Sequence, residues 1–142
     1  MILDSSVLIG VERGALDLDA RLAVLGEETV SISAVTASEL LHGVHRAKTE
    51  SQRTRRGRFV ERVLADIPVA PFALPEARVH ARLGADLKSR GITVGPHDLL
   101  IAATALTVGF RLATANLREF RRIPGLEVED WSDAGTAGLP AG

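Results

Sequence analysis

The chain has 142 residues, 46% of them hydrophobic and 25% charged, with a formal net charge of −1. This is enough apolar material for one domain with its own core, and the near-neutral total gives no whole-chain sign of a nucleic-acid binder. Cysteine is absent, which excludes disulfides, thiolate metal sites and cysteine nucleophiles, so any metal must be held by oxygen or imidazole. No secretory-signal pattern and no run long enough to span a bilayer is present, and a cytoplasmic protein is expected.

In chain order, Ile2 and Leu3 read as a short buried strand ending on Asp4, which the hydroxyls of Ser5 and Ser6 follow. The plainest explanation of Asp4 is an N-cap, its carboxylate bonding the free N–H groups of a helix that starts at Ser5 or Ser6. That helix carries Val7, Leu8, Ile9 and Val11 and stops at Gly14. A second, amphipathic helix covers Leu16 to Leu25 and stops at Gly26. Residues 30–33 alternate as a strand and run into a helix in which Thr36 and Glu39 have capping-box spacing.

From His42 to Arg62 the chain turns basic, with Arg46, Lys48, Arg53, Arg55, Arg56, Arg58 and Arg62 against Glu50 and Glu61. A helix pair turning near Thr49 to Ser51, with Phe59, Val60, Val63 and Leu64 inward and a solvated outer face, accounts for this pattern. A phosphate-facing surface accounts for it too, although Phe59 is the one aromatic among the charges. Residues 67–72 form a proline-bounded strand suited to a sheet edge. Pro75 opens a helix to about Arg90, and Pro96 opens another that is apolar almost all round to Leu106, with Asp98 in its first turn. A strand over 110–114, a short helix over 116–120 and a last strand over 126–128 follow. Residues 1–133 are expected to be the domain, and the patternless Gly, Ala and Pro of 134–142 a flexible tail.

Strands alternating with helices predict an α/β domain with a mainly parallel sheet, whose ligands sit beyond the carboxyl ends of the strands. Asp4, Glu39, Asp98 and Asn116 all arrive at that edge. Each has a local explanation: a cap for Asp4, capping boxes for Glu39 and for Asn116 with Glu119, and the helix dipole for Asp98. Jointly, three carboxylates at one edge repel unless a cation sits among them, and oxygen-only donors select Mg²⁺ or Mn²⁺. Two such ions suit in-line displacement at a phosphodiester.

Four stretches carry a resemblance: Asp4-Ser5-Ser6, the run Ser33 to Leu40, the run Pro96 to Ala105, and the run Leu112 to Phe120. Together, in this order and spacing, the chain resembles the PIN-domain family and, more narrowly, the VapC toxins of bacterial toxin–antitoxin pairs. The resemblance implies a PIN-like, Rossmann-like three-layer α/β/α fold and a Mg²⁺- or Mn²⁺-dependent endoribonuclease, with transfer RNA or ribosomal RNA as substrate. It puts Asp4, Glu39 and Asp98 on the catalytic, metal-holding acids, with Glu39 acting directly or through water, and Ser6 and Thr114 on supporting hydroxyls. Asn116 falls where many members carry a fourth acid, and Glu119 is a candidate either to compensate or to cap.

The implied partners are RNA, a cognate VapB antitoxin that inserts a peptide near the site, and a second copy in homodimers and toxin–antitoxin hetero-oligomers. Arg46 to Arg62 are the first candidates to grip RNA backbone, and Arg111, Arg118, Arg121 and Arg122 the second. His97 is expected on a different helix face from Asp98 and is read, with His42, His45 and His80, as non-catalytic. Other readings stay open at this stage. One is a catalytically weak or silent PIN-fold protein that binds a partner or RNA, suggested by Asn116. Another is a PIN ribonuclease of RNA processing outside the toxin class. The last is a phosphoaspartyl phosphatase, although Ser6 stands where that chemistry needs a second Asp.

Overall fold

The computed structural model describes residues 1–132, so the expected tail at 134–142 lies outside the described residues. Strands β1 (Ile2–Leu3), β2 (Ile32–Ser33), β3 (Val69–Ala70), β4 (Leu112–Thr114) and β5 (Val128–Asp130) alternate with helices. These are α1 (Ser5–Glu12), α2 (Leu18–Leu25), α3 (Ala34–His45), α4 (Glu50–Asp66), α5 (Leu74–Ser89), α6 (Pro96–Val108) and α7 (Leu117–Phe120). β4 lies between β1 and β5, β2 pairs with β3, and every pairing is parallel. A parallel bridge between Ile2 and Ser31 joins the two ladders, giving the order β3-β2-β1-β4-β5. The winding reverses between β1 and β4, which opens a crevice at their carboxyl ends.

The strands are very short, and the sheet is held by what packs on its two faces. Leu3 and Ala113 point into one core with Val7, Leu8, Leu40, Val60 and Trp131. Their neighbours Ile2 and Leu112 point into the other with Leu83, Leu87, Ile101 and Phe120. This period-two alternation places α1, α3 and α4 on one side and α5, α6 and α7 on the other, the expected three layers. α6 is buried because Ile101, Ala102, Ala103 and Ala105 are all sealed from solvent. It ends at Gly109, whose φ of 74° is the left-handed conformation that glycine adopts without cost.

Several boundaries differ from the expectations. α2 starts at Leu18 because Asp17 caps it, accepting from the Ala20 N–H. β3 pairs on one side only, as the flanking prolines suggested. β5 forms at Val128–Asp130, two residues later than the pattern placed it, because its register against β4 is fixed by pairing of Val128 with Leu112 and Asp130 with Thr114. Arg111, just before β4, bonds both oxygens of Glu28 at 2.7 and 3.0 Å and also Glu129, so it ties down the amino ends of the strands.

Ile101→Ala is expected to destabilise the protein by about 2–5 kcal/mol, since a fully buried position facing the sheet leaves a cavity. Gly109→Ala, with open space around its Cβ, should cost only about 1–2 kcal/mol of backbone strain. Urea unfolding midpoints at constant slope would check both.

Candidate active site

β1 is followed by Asp4, an acidic residue only 3% exposed. Its backbone is extended and its side chain makes no cap bond, so the N-cap explanation fails for the carboxylate. Instead Asp4 Oδ2 accepts from Ser6 Oγ at 2.6 Å and from Thr114 Oγ1 at 2.9 Å. Those hydroxyls are themselves oriented by the loop after β4, where Ala115 N–H donates to Ser6 Oγ and Asn116 N–H to Thr114 Oγ1. One carboxylate oxygen is thus saturated by donors from the start of α1 and the end of β4. Among the described residues Asp4 Oδ1, which is buried, has no hydrogen-bond partner.

Glu39 arrives from α3. Its capping-box partner was expected to be Thr36, but the cap of α3 is Ser33, which accepts from Thr36 N–H at 3.0 Å, and Thr36 is buried in the first turn. Glu39 is therefore released from capping. Ser5 Oγ donates to Glu39 Oε2 at 3.3 Å, while Oε1 is buried without a hydrogen-bond partner and lies 3.6 Å from His97 Nδ1. The two serines after Asp4 therefore divide their work, Ser6 on Asp4 and Ser5 on Glu39. Ser5 was missed as a site residue, although it stood in the same tripeptide.

Asp98 projects from the first turn of α6. Burial, then the charges of Asp4, Glu119 and Glu39, push its carboxyl up to about 6, with the His97 imidazole opposing. Burial is also the main reason that Glu39 sits above its usual range, with His97 and Ser5 pulling it down and Asp4 pushing it up. His97 was expected on another face of α6; it reaches Glu39 because α6 packs against α3. Side chains one residue apart on α6 thus meet the same cluster from two sides.

The short helix α7 supplies no capping box. Asn116 makes no side-chain cap bond, and Glu119 pairs with Arg122 at 2.9 Å. Arg122 also donates to Thr93 O, and Arg111 pairs with Glu28 and Glu129, so both are engaged within the chain. Asn116 is exposed and joins the site through its N–H. Among the described residues no three acid or imidazole groups converge closely enough to ligate one ion unaided.

The donor set nevertheless suits a hard cation. Asp4 Oδ1 is a buried acceptor without a donor among the described residues, Glu39 Oε1 has only the distant His97 Nδ1, every acid donor is oxygen, and the acids beside Asp98 favour positive charge there. A cation here would take some protein oxygens and complete its shell with water, which Mg²⁺ does habitually.

Two concave surfaces adjoin α1 and α4. The larger, about 1200 Å³, runs between α2 and α4, with Leu16, Leu18, Phe59 and Val63 in its floor and Arg55, Arg58 and Arg62 among its walls. It contains none of the site acids. A smaller trough of about 220 Å³ does contain Glu39, together with Arg13, His42, Arg46 and Arg56.

The raised Asp98 has a consequence for stability. Its folded pKa lies above the unfolded value, so the folded state binds the proton more tightly and the metal-free protein loses stability as pH rises from about 4 to about 6. Asp98→Asn should match the parent below about pH 4 and exceed it at neutral pH, by roughly 2–5 °C in Tm. Thermal unfolding across pH in the presence of chelator would check this.

The model of the PIN domain matches residues 1–126. The chain is 40% identical to Ribonuclease VapC1 of Rickettsia felis, over 90% of this chain and 93% of that protein. It is 34% identical to the tRNA(fMet)-specific endonuclease VapC of Salmonella typhimurium, over 75% of this chain and 79% of that protein. In structure it resembles VapBC2 of Rickettsia felis, solved bound to a DNA fragment from their promoter, with a TM-score of 0.84 and 26% identity over 92% of this chain and 97% of that one. A crevice of acids at the sheet's switch point, on a chain with these relatives, belongs to the PIN domain, and the protein is a member of its VapC ribonuclease family.

Proposed function

We propose that this VapC-family endoribonuclease hydrolyses RNA phosphodiesters with Mg²⁺ or Mn²⁺ held by Asp4 and Asp98, and that Glu39 serves as base. The single observation that carries the reading is the clamp on Asp4. Two hydroxyls saturate Oδ2 and leave Oδ1 buried and, among the described residues, unpartnered, an arrangement apt for a cation. When bound, the divalent ion lowers the pKa of a coordinated water and offsets charge developing on the phosphate.

The chain's own residues do the rest. Ser6 and Thr114 fix the plane of the Asp4 carboxylate, and their backbone partners hold that plane rigid before substrate arrives. Ser5 aims Glu39, whose raised pKa makes it a stronger proton acceptor than an exposed glutamate. Glu39 takes a proton from the attacking water as its oxygen bonds to phosphorus. The P–O3′ bond then breaks, the O3′ leaves with a proton from solvent, and the products carry a 5′-phosphate and a 3′-hydroxyl. No ribose 2′-hydroxyl acts as nucleophile. Glu119 adds charge that Asp98 feels, and it stays tethered to Arg122. The Salmonella relative's name specifies tRNA(fMet); for this chain the substrate class is transfer RNA or ribosomal RNA.

The same proposal gives the protein a VapB-type antitoxin partner, as in the VapBC complex it resembles. The large groove between α2 and α4 suits an amphipathic segment of such a partner, with Leu16, Leu18, Phe59 and Val63 for its hydrophobic face and a mixed rim, Arg55, Arg58 and Arg62 with Asp17, Asp19, Glu50 and Asp66, for charges of both signs. A homodimer within that assembly is supported by the one-sided edge strand β3 and by Val69 and Leu74 beside it, 42% and 62% exposed.

Purified protein freed of partner should cut total RNA into discrete 5′-phosphorylated fragments with Mg²⁺ or Mn²⁺ and stop on addition of chelator. Asp4→Asn, Glu39→Gln and Asp98→Asn should each lower kcat by about 10²–10³-fold, the equivalent of several kcal/mol of charge stabilisation. Activity should fall as pH drops through about 6, because protons compete for Asp98, and excess cation should move that midpoint downward. Cleavage that survives chelator, or fragments bearing 2′,3′-cyclic phosphates, would overturn the mechanism.

A further inference from the structure

The basic run Arg46 to Arg62 does not form one surface. α4 turns Arg55, Arg58 and Arg62 into the large groove, whereas Arg46 closes the end of α3 and lies in the trough that begins at Glu39. On α3 the spacing Glu39, His42, Gly43, Arg46 is i, i+3, i+4, i+7, one stripe along one face, so Arg46 stands about 10 Å along the helix axis from the site acid. The opposite wall is the matching stripe Ile9, Glu12, Arg13 of α1. Arg13 and Arg46 are the C-cap residues of α1 and α3, where the helix dipoles favour cations.

The charges in the trough are not equivalent. Arg56 is committed, donating to Gly43 O at 2.9 Å and pairing with Glu12 at 3.7 Å. Arg13 and Arg46 are exposed and make no ion pair or side-chain hydrogen bond among the described residues. With Glu12 paired and Glu39 turned to the reaction, the trough keeps two unspent guanidinium groups. Guanidinium is the group best matched to a phosphate diester oxygen pair.

We infer that Arg13 and Arg46 form a phosphate subsite that holds the RNA backbone adjoining the scissile bond, so that the strand leaves the reacting phosphate along the trough between α1 and α3. This deepens the nuclease reading and rests on it. RNA is favoured over an acidic peptide because the trough is continuous with Glu39 and has room for little more than a backbone strand. Its aliphatic lining is limited to Ile9, Leu40 and Val60, and the aromatic ring in its lining is the His42 imidazole, so charge on phosphate outweighs base stacking there. The contacts go to phosphate, so they set position and direction without reading sequence.

The test compares Arg13→Gln/Arg46→Gln with Arg78→Gln/Arg82→Gln, which removes the same charge from the exposed side of α5. Wild type and both variants are first assayed on total RNA with Mg²⁺, and a substrate oligonucleotide is then chosen from the wild-type fragments. The trough variant should raise KM about tenfold or more with kcat nearly unchanged, and the α5 variant should move neither. In the Asp98→Asn background, fluorescence anisotropy with that single-stranded oligonucleotide should show the salt dependence of log K reduced by about 1.4, or ~0.7 per lost contact.

Equal KM and equal salt slope for the trough variant, with wild type cutting RNA, would overturn the subsite and leave the nuclease standing. A trough variant that binds RNA normally but loses an acidic peptide would overturn it in favour of a partner site. Wild type that neither cuts nor binds RNA would overturn the functional reading itself. Circular dichroism of both variants guards against misfolding, and a loss of kcat in step with lost structure counts against the subsite.

Discussion

Negative charge packed into a half-dry crevice is the constraint to which the rest of the molecule answers. Burial raises the cost of ionising Asp98 and Glu39, and the neighbouring acids add to that cost. Asp4, the most deeply buried of them, has two hydroxyl donors on a single oxygen. Those hydroxyls come from α1 and from the end of β4, which meet only because β1 and β4 are parallel neighbours. The switch point is therefore more than a convenient crevice. It is the one place in this sheet where a strand-end carboxylate can be given two donors from separate elements and still keep one oxygen bare.

Much of this was legible in the sequence, and what was not has a common cause. The alternation of strand and helix, the buried α6, the edge position of β3 and the arrival of Asp4, Glu39 and Asp98 at one edge depend on local pattern plus topology rules, and the structure bears them out. The local explanations failed where they concerned side-chain partners. Asp4, Thr36 with Glu39, and Asn116 with Glu119 all have capping spacing, yet none forms the expected side-chain cap. In two of these cases a backbone N–H had already found a better acceptor, Ser33 Oγ for Thr36 and Thr114 Oγ1 for Asn116. A spacing motif states which bond is available, and tertiary neighbours decide which is made.

His97 and Arg111 show the same limit from opposite directions. Helical periodicity separates His97 from Asp98 on α6, but the acid it meets, Glu39, belongs to α3, so the angle on its own helix does not exclude it. Arg111 precedes the strand that carries Thr114 and was grouped with arginines for RNA. Its position before β4 puts it at the amino ends of the strands, where Glu28 and Glu129 bind it away from the crevice. Net composition could separate neither case, because one depends on how α6 packs against α3 and the other on which end of a parallel strand the residue occupies.

The two concave surfaces share a wall, and the wall explains how one short basic run serves two purposes. Glu12 lines both the large groove and the trough, and Arg56, reaching from α4, pairs with it across the boundary. At 3.7 Å and partly exposed, this pair adds little to stability. Its effect is to remove one positive and one negative charge from the competition and so to leave Arg13 and Arg46 on one side and Arg55, Arg58 and Arg62 on the other.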